Sequence, residues 1–205
     1  MARPRKQLSK RQLEVQLGQL QTLPDPQLKL EQYPVSPEVA SELLFMAGFE
    51  HNDLEDKVVD LGTGTGRLAI GASLMGAKHV LGVDIDPRAI SVAARNARKA
   101  GAKVDWLVGS LDAVRGLFDT VVMNPPYGTR VRHGDTEFLG HAMELAPVVY
   151  SIHKATARPF LLRLAKKKGW RVDAVRSMSM KIPHLFEFHR RKWKVVIVDL
   201  YRVSS

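Results

Sequence analysis

Residues 57–66 read Lys57-Val58-Val59-Asp60-Leu61-Gly62-Thr63-Gly64-Thr65-Gly66. The first five are short, apolar and partly β-branched, the signature of a strand buried on both faces of a parallel sheet. The glycines that follow let the backbone turn tightly and let a ligand approach it closely. Residues 67–72 then predict a helix. The spacing is G-x-G-x-G rather than the G-x-G-x-x-G of dinucleotide sites, which argues against NAD. A second apolar run, Val80-Leu81-Gly82-Val83-Asp84-Ile85, ends in a carboxylate about 20 residues after the first glycine, the usual place for an acid that binds ribose hydroxyls. The glycines could be mere turn formers, with Asp86, an N-cap ahead of Pro87, the only working acid. The order strand, glycines, helix, strand, acid favours a ligand site.

Outward from this unit the pattern stays α/β and shows no internal repeat. Residues 8–20 predict a polar, basic helix with Leu13, Leu17 and Leu20 on a narrow apolar stripe. Ser36 and Pro37 open a helix as N-cap and first residue, ending near Gly48. Residues 87–99 read as a helix stopped by Gly101, 104–108 as a third strand and 118–123 as a fourth. A helix over 136–145, a strand over 148–153, a helix over 156–168 and two closing strands over 170–178 and 192–203 complete the chain. Alternation followed by a terminal antiparallel pair implies a doubly wound sheet, in which ligands sit beyond the carboxyl ends of the strands. Gly62–Gly66, Asp84 and the ends of the third and fourth strands should therefore converge on one crevice.

The fourth strand runs into Asn124-Pro125-Pro126-Tyr127. The Asn124 carboxamide oxygen and the Pro125 carbonyl can each accept one hydrogen bond, which suits a planar NH2 with two hydrogens to donate. Two prolines fix the turn and contribute no N–H of their own. Tyr127 adds an aromatic face on which a flat base or amide can lie.

At these positions the chain resembles the class I S-adenosylmethionine-dependent methyltransferases, whose first, second and fourth motifs are similar to Asp60–Gly66, Asp84 and Asn124–Tyr127. Glu31-Gln32-Tyr33-Pro34, Val149-Tyr150-Ser151-Ile152-His153-Lys154 and Phe188-His189-Arg190 extend the resemblance to the ribosomal small-subunit RNA N6-adenine methyltransferases. It implies a seven-stranded, mostly parallel, Rossmann-like sheet with the last strand antiparallel. It also implies S-adenosyl-L-methionine as cofactor and S-adenosyl-L-homocysteine as product. The cofactor would contact Gln32, Asp60, Gly62, Gly64, Thr65, Gly66, Asp84, Ile85, Ser110, Leu111 and Asn124, with Ile85 against the adenine. The catalytic set would be Asn124, Pro125, Pro126 and Tyr127. Two positions depart from the family pattern. Ser110 stands where an acid is usual, so either it or Asp112 meets the adenine, and Val35 replaces a hydroxyl residue. The resemblance also implies a helper, a small zinc-binding activator with which eukaryotic relatives pair along a sheet edge; residues 103–108, with Trp106, are the candidate edge.

Composition bounds the reading. The 205 residues fit one domain, expected as a basic arm and helix over 1–30 and a methyltransferase domain over 31–205. There is no cysteine, which excludes disulfides, thiolate zinc sites and the thiol nucleophile that pyrimidine C5 methylation needs. No apolar run of about 20 residues and no leader pattern is seen, so the expectation is a soluble cytoplasmic protein without membrane contact. The net charge of +10 is unevenly spread: 5 bases and no acid in residues 1–11, 12 bases against 18 acids in 12–150, and 14 against 3 in 151–205. Basic ends flanking an acidic middle suit a phosphate backbone. Arg3, Arg5, Lys6, Arg130, Arg132, Lys154, His189, Arg190, Arg191 and Lys192 are the candidate RNA contacts, the last three beside Trp193. The histidines lack metal-ligand spacing, and His153 reads as a hydrogen-bonded residue at a strand end. Rival readings are a protein glutamine N5-methyltransferase, which needs the same acceptor pair, a DNA adenine or guanine N2 methyltransferase, and a cofactor-binding RNA-binding protein without turnover.

Overall fold

A computed structural model of the chain describes residues 8–27, 32–126, 134–183 and 193–205. Seven strands form one sheet: β1 (Lys57–Leu61), β2 (His79–Asp84), β3 (Asp105–Val108), β4 (Thr120–Met123), β5 (Val148–Lys154), β6 (Arg171–Pro183) and β7 (Trp193–Ser204). Their order is β3-β2-β1-β4-β5-β7-β6. Neighbours among β1 to β5 pair in parallel, whereas β7 runs antiparallel to both β5 and β6. This is the doubly wound sheet expected. Adjacency in sequence makes β6 and β7 a pair, but β7 lies inside the sheet and β6 takes the edge, an order that periodicity does not reveal.

Side-chain alternation along the strands serves two cores. Val58 and Val122 face one, with Leu43, Leu44, Ile70 and Leu200. Val59 and Val121 face the other, with Leu139, Leu145, Leu161 and Tyr201. Helices α1 (Lys10–Gly18), α2 (Pro37–Phe45) and α3 (Arg67–Met75) feed the first core, where Leu13 and Leu17 of α1 are fully buried. Helices α5 (Gly134–Leu145) and α6 (Arg158–Lys167) feed the second.

Local chemistry sets the helix ends. Ser9 and Gln12 form a reciprocal capping box at α1, and Ser36 caps α2 ahead of Pro37. Helix α2 stops at Phe45, and a π turn over Met46–Glu50 carries the chain past Gly48. Asp86 caps α4 (Pro87–Ala100), and Gly101, with positive φ, closes it. The helix expected over 156–168 begins instead as a 3-10 turn, Ala155–Ala157, with Pro159 in the first turn of α6.

His153 differs from expectation. It is buried, its ring stands edge-on to Tyr201, and its Nε2 has no partner among the described residues. Burial lowers its pKa to about 4, so the ring is neutral in the fold.

Candidate active site

The chain leaves β1 at the centre of the sheet, with β2 and β3 on one side and β4 and β5 on the other. That reversal opens a crevice beyond the strands' carboxyl ends. A cavity of about 440 Å³ lies there, within the range that encloses a nucleoside-sized ligand.

The glycine loop forms its floor. Thr63 donates to Asp60 Oδ2 at 2.6 Å and the Ala69 amide to the same oxygen at 2.9 Å, tying loop and helix α3 to the end of β1. Gly64 has φ +55, and a Cβ there would project into open space. Gly66, at φ +88, is crowded instead: a Cβ would lie 2.8 Å from the Trp106 ring and 3.0 Å from Ala93. One glycine thus leaves room over the backbone and the other allows close packing beneath it. Asn96 of α4 fastens the loop from behind. Its Nδ2 donates to the Thr65 carbonyl at 3.0 Å and the Gln21 carbonyl at 2.9 Å, while its Oδ1 accepts from the Gln21 amide. An isolated Asn inside a helical pattern gives no sequence sign of such a role.

Two acids shape the polar wall. Asp60 is buried, its Oδ1 has no partner among the described residues, and desolvation pushes its pKa up to about 7 against the two hydrogen bonds that favour the anion. Asp84 accepts from the Gly64 amide at 2.7 Å and the Asp86 amide at 2.9 Å, and burial raises its pKa too. Each Asp84 oxygen keeps acceptor capacity for a hydroxyl. Asp86 does the capping work considered for it and more. It pairs with Arg88 at 2.9 Å and accepts from Gln32 Nε2 at 2.9 Å, the Arg88 contact being the main cause of its strongly lowered pKa. Gln32, whose Oε1 also accepts from the Gln27 amide at 2.7 Å, therefore fixes the segment before α2 against the start of α4 while lining the cavity.

The segment around Gln32 also orients the opposite wall. Asn124, at the end of β4, donates through Nδ2 to the Tyr33 carbonyl at 3.3 Å. A carbonyl can only receive the NH2 end of the amide, so the Asn124 oxygen is turned away from Tyr33. Pro125 is buried and Pro126 borders the cavity. Ile85 lies at the rim, 59% exposed, an apolar platform open to a ligand. Ser110, Leu111 and Asp112 all border the cavity; Asp112 is mostly exposed and sits 3.5 Å from His141. Helix α5 adds Glu137 and Phe138, which sequence reasoning missed.

Thus Gln32, Asp60, Gly62, Gly64, Thr65, Asp84, Ile85, Ser110, Leu111, Asn124 and Pro126 border one space, and Gly66 packs under its floor. Lys154 ends β5, the strand beside β4, at the same end of the sheet. Tyr127, Arg3, Arg5, Lys6, Arg130, Arg132, His189, Arg190, Arg191 and Lys192 lie outside the described residues.

The open space over Gly64, the buried Asp60 oxygen that lacks a partner among the described residues and the ready acceptors of Asp84 fit a ligand with a cationic amino-acid end and a ribose. Fold and site together define a class I S-adenosylmethionine-dependent methyltransferase. Relatives spanning nearly the whole chain narrow this: an rRNA N6-adenosine methyltransferase of Drosophila melanogaster is 34% identical, covering 95% of this chain and 96% of its own length, and that of Danio rerio is 33% identical over 95% and 98%. The chain belongs to the family of rRNA N6-adenosine methyltransferases. A candidate RNA methyltransferase of Pyrococcus horikoshii superposes with a TM-score of 0.89 at 37% identity, covering 100% of this chain and 99% of that one. Residues 44–125 match the ribosomal protein L11 methyltransferase (PrmA) family, a stretch confined to the cofactor half and Asn124-Pro125.

Proposed function

We propose that the chain methylates the exocyclic N6 of an adenine in small-subunit ribosomal RNA. The observation that carries this is the Asn124 amide at the cavity wall, its NH2 end held by the Tyr33 carbonyl. S-adenosylmethionine supplies an electrophilic methyl group on a sulfonium. The amine of adenine is a weak nucleophile because its lone pair is delocalised into the ring. The Asn124 and Pro125 oxygens, by accepting its two hydrogens, concentrate electron density on nitrogen and favour pyramidalisation toward the incoming methyl. Rate then comes from positioning and electrostatics without a covalent enzyme intermediate. The surplus proton leaves the methylated nitrogen for water. Tyr127 stacks the target base, which has to be unpaired or flipped to enter. Asp84 holds the ribose, Ile85 supports the cofactor adenine, and the basic residues at both ends of the chain hold the RNA backbone.

Among the described residues, no helix is long and apolar enough to cross a membrane, and we place the protein in the cytoplasm. A small zinc-binding activator would add along β3, the edge strand that residues 103–108 were expected to supply. Trp106 itself turns toward Gly66 and Gly82, leaving the backbone edge and Val108 for such a partner.

Labelled cofactor, ribosomal RNA and total protein together test the reading. Label should appear in N6-methyladenosine of small-subunit RNA. Asn124→Ala should lower turnover by about 10³-fold or more while S-adenosylhomocysteine affinity changes by less than about threefold. Label recovered in a protein glutamine, or full turnover by Asn124→Ala, overturns it.

A further inference from the structure

Acidic side chains dominate the cavity: Asp60, Asp84, Asp112 and Glu137 border it, and among the described residues Arg67 is the one cation that does. Arg67 opens helix α3 directly after the glycine loop, and its side chain is 7% exposed. Its Nη1 donates to the Val35 carbonyl, while its Nε has no partner among the described residues. No carboxylate among the described residues lies within ion-pair distance; Glu38 acts on it only through its field. A guanidinium stays protonated under all ordinary conditions, and a buried charge without a counterion is costly.

We infer that Arg67 is the recognition site for the carboxylate of the cofactor's methionine end. The charge pattern fits that ligand as a whole, because it carries two cationic centres, ammonium and sulfonium, and one anion. The lining matches that balance in sign, its charged side chains among the described residues being acidic everywhere except at Arg67. Position agrees as well. Arg67 joins the glycine loop, over which the amino-acid end is expected, to the Val35 carbonyl on the segment before α2.

This rests on the cofactor assignment and is independent of the RNA substrate. Calorimetric titration with S-adenosylmethionine and decarboxylated S-adenosylmethionine separates the two. Wild-type protein should bind the carboxylated form at least about tenfold more tightly, as expected for a charge-assisted hydrogen bond in a desolvated site. Arg67→Met should lose that preference, with affinity for the decarboxylated form unchanged within about threefold. Arg67→Lys should keep part of it. Equal affinity of wild-type protein for both ligands overturns the inference without needing a folded variant. Parallel weakening of both ligands in Arg67→Met assigns Arg67 a structural clamp on Val35 and overturns it too. Failure of wild-type protein to bind either ligand overturns the cofactor assignment itself.

Discussion

At the scale of single residues, Asp60 links the site to stability. Burial raises its folded pKa to about 7, well above the ordinary aspartate range, so the fold favours the neutral acid relative to the unfolded chain. A raised pKa contributes stability that is complete below the unfolded value and is lost as pH rises through the folded one. At about 1.4 kcal/mol per pKa unit, wild-type protein should lose on the order of 1–3 kcal/mol relative to Asp60→Asn between pH 5 and 8. Asparagine retains an oxygen for Thr63 and the Ala69 amide, so the variant should fold. Urea midpoints of the two proteins across that range measure the difference; parallel profiles would refute it. His153 acts in the opposite sense, since its lowered pKa costs stability as pH falls from about 6.5 to about 4, which is why the comparison is made against the variant.

Secondary-structure elements matter here for what they hold in place. Helix α1 is polar overall, yet Leu13 and Leu17 sit in the same core as Leu43, Leu44 and Ile70. An added Cβ at Gly71 of α3 would fall 2.2 Å from Leu44 and 3.5 Å from Leu17, so three helices meet there at close range. Leu17→Ala should therefore cost about 2–5 kcal/mol, measured as a shift in the urea midpoint. A change below 0.5 kcal/mol would show that α1 adds little to the core. The stapling by Asn96 ties the segment just after α1 to the glycine loop. Loss of α1 packing should accordingly weaken cofactor binding along with stability.

Over the whole molecule, charge is partitioned. The middle of the chain, which builds the cavity, is acidic and suits a cationic cofactor, while residues 1–11 and 151–205 carry the positive excess. An RNA backbone engaged by those ends releases counterions, so log affinity should fall linearly with log salt concentration. The triple variant Arg3→Ala, Arg5→Ala, Lys6→Ala should reduce that slope by about 2 for a single-stranded ribosomal fragment, with S-adenosylhomocysteine affinity unaltered. A slope equal to that of wild-type protein would exclude the arm from the contact.

Residues 57–66 and 80–86 by themselves determined the strand–loop–helix–strand unit, because buried strands, glycine turns and a proline-capped helix each depend on chemistry close in sequence. Asn124-Pro125-Pro126, read from the sequence as an acceptor turn, stands directly after β4 and borders the cavity. Tertiary structure alone decided which distant groups those motifs would meet. The Tyr33 carbonyl that orients Asn124, the Asn96 amide under the glycine loop and the passage of Arg67 to Val35 join residues 91, 31 and 32 positions apart. The insertion of β7 between β5 and β6 is of the same kind. Hydrogen-bond partners and strand order depend on how elements pack in space, and no periodicity along the chain records that.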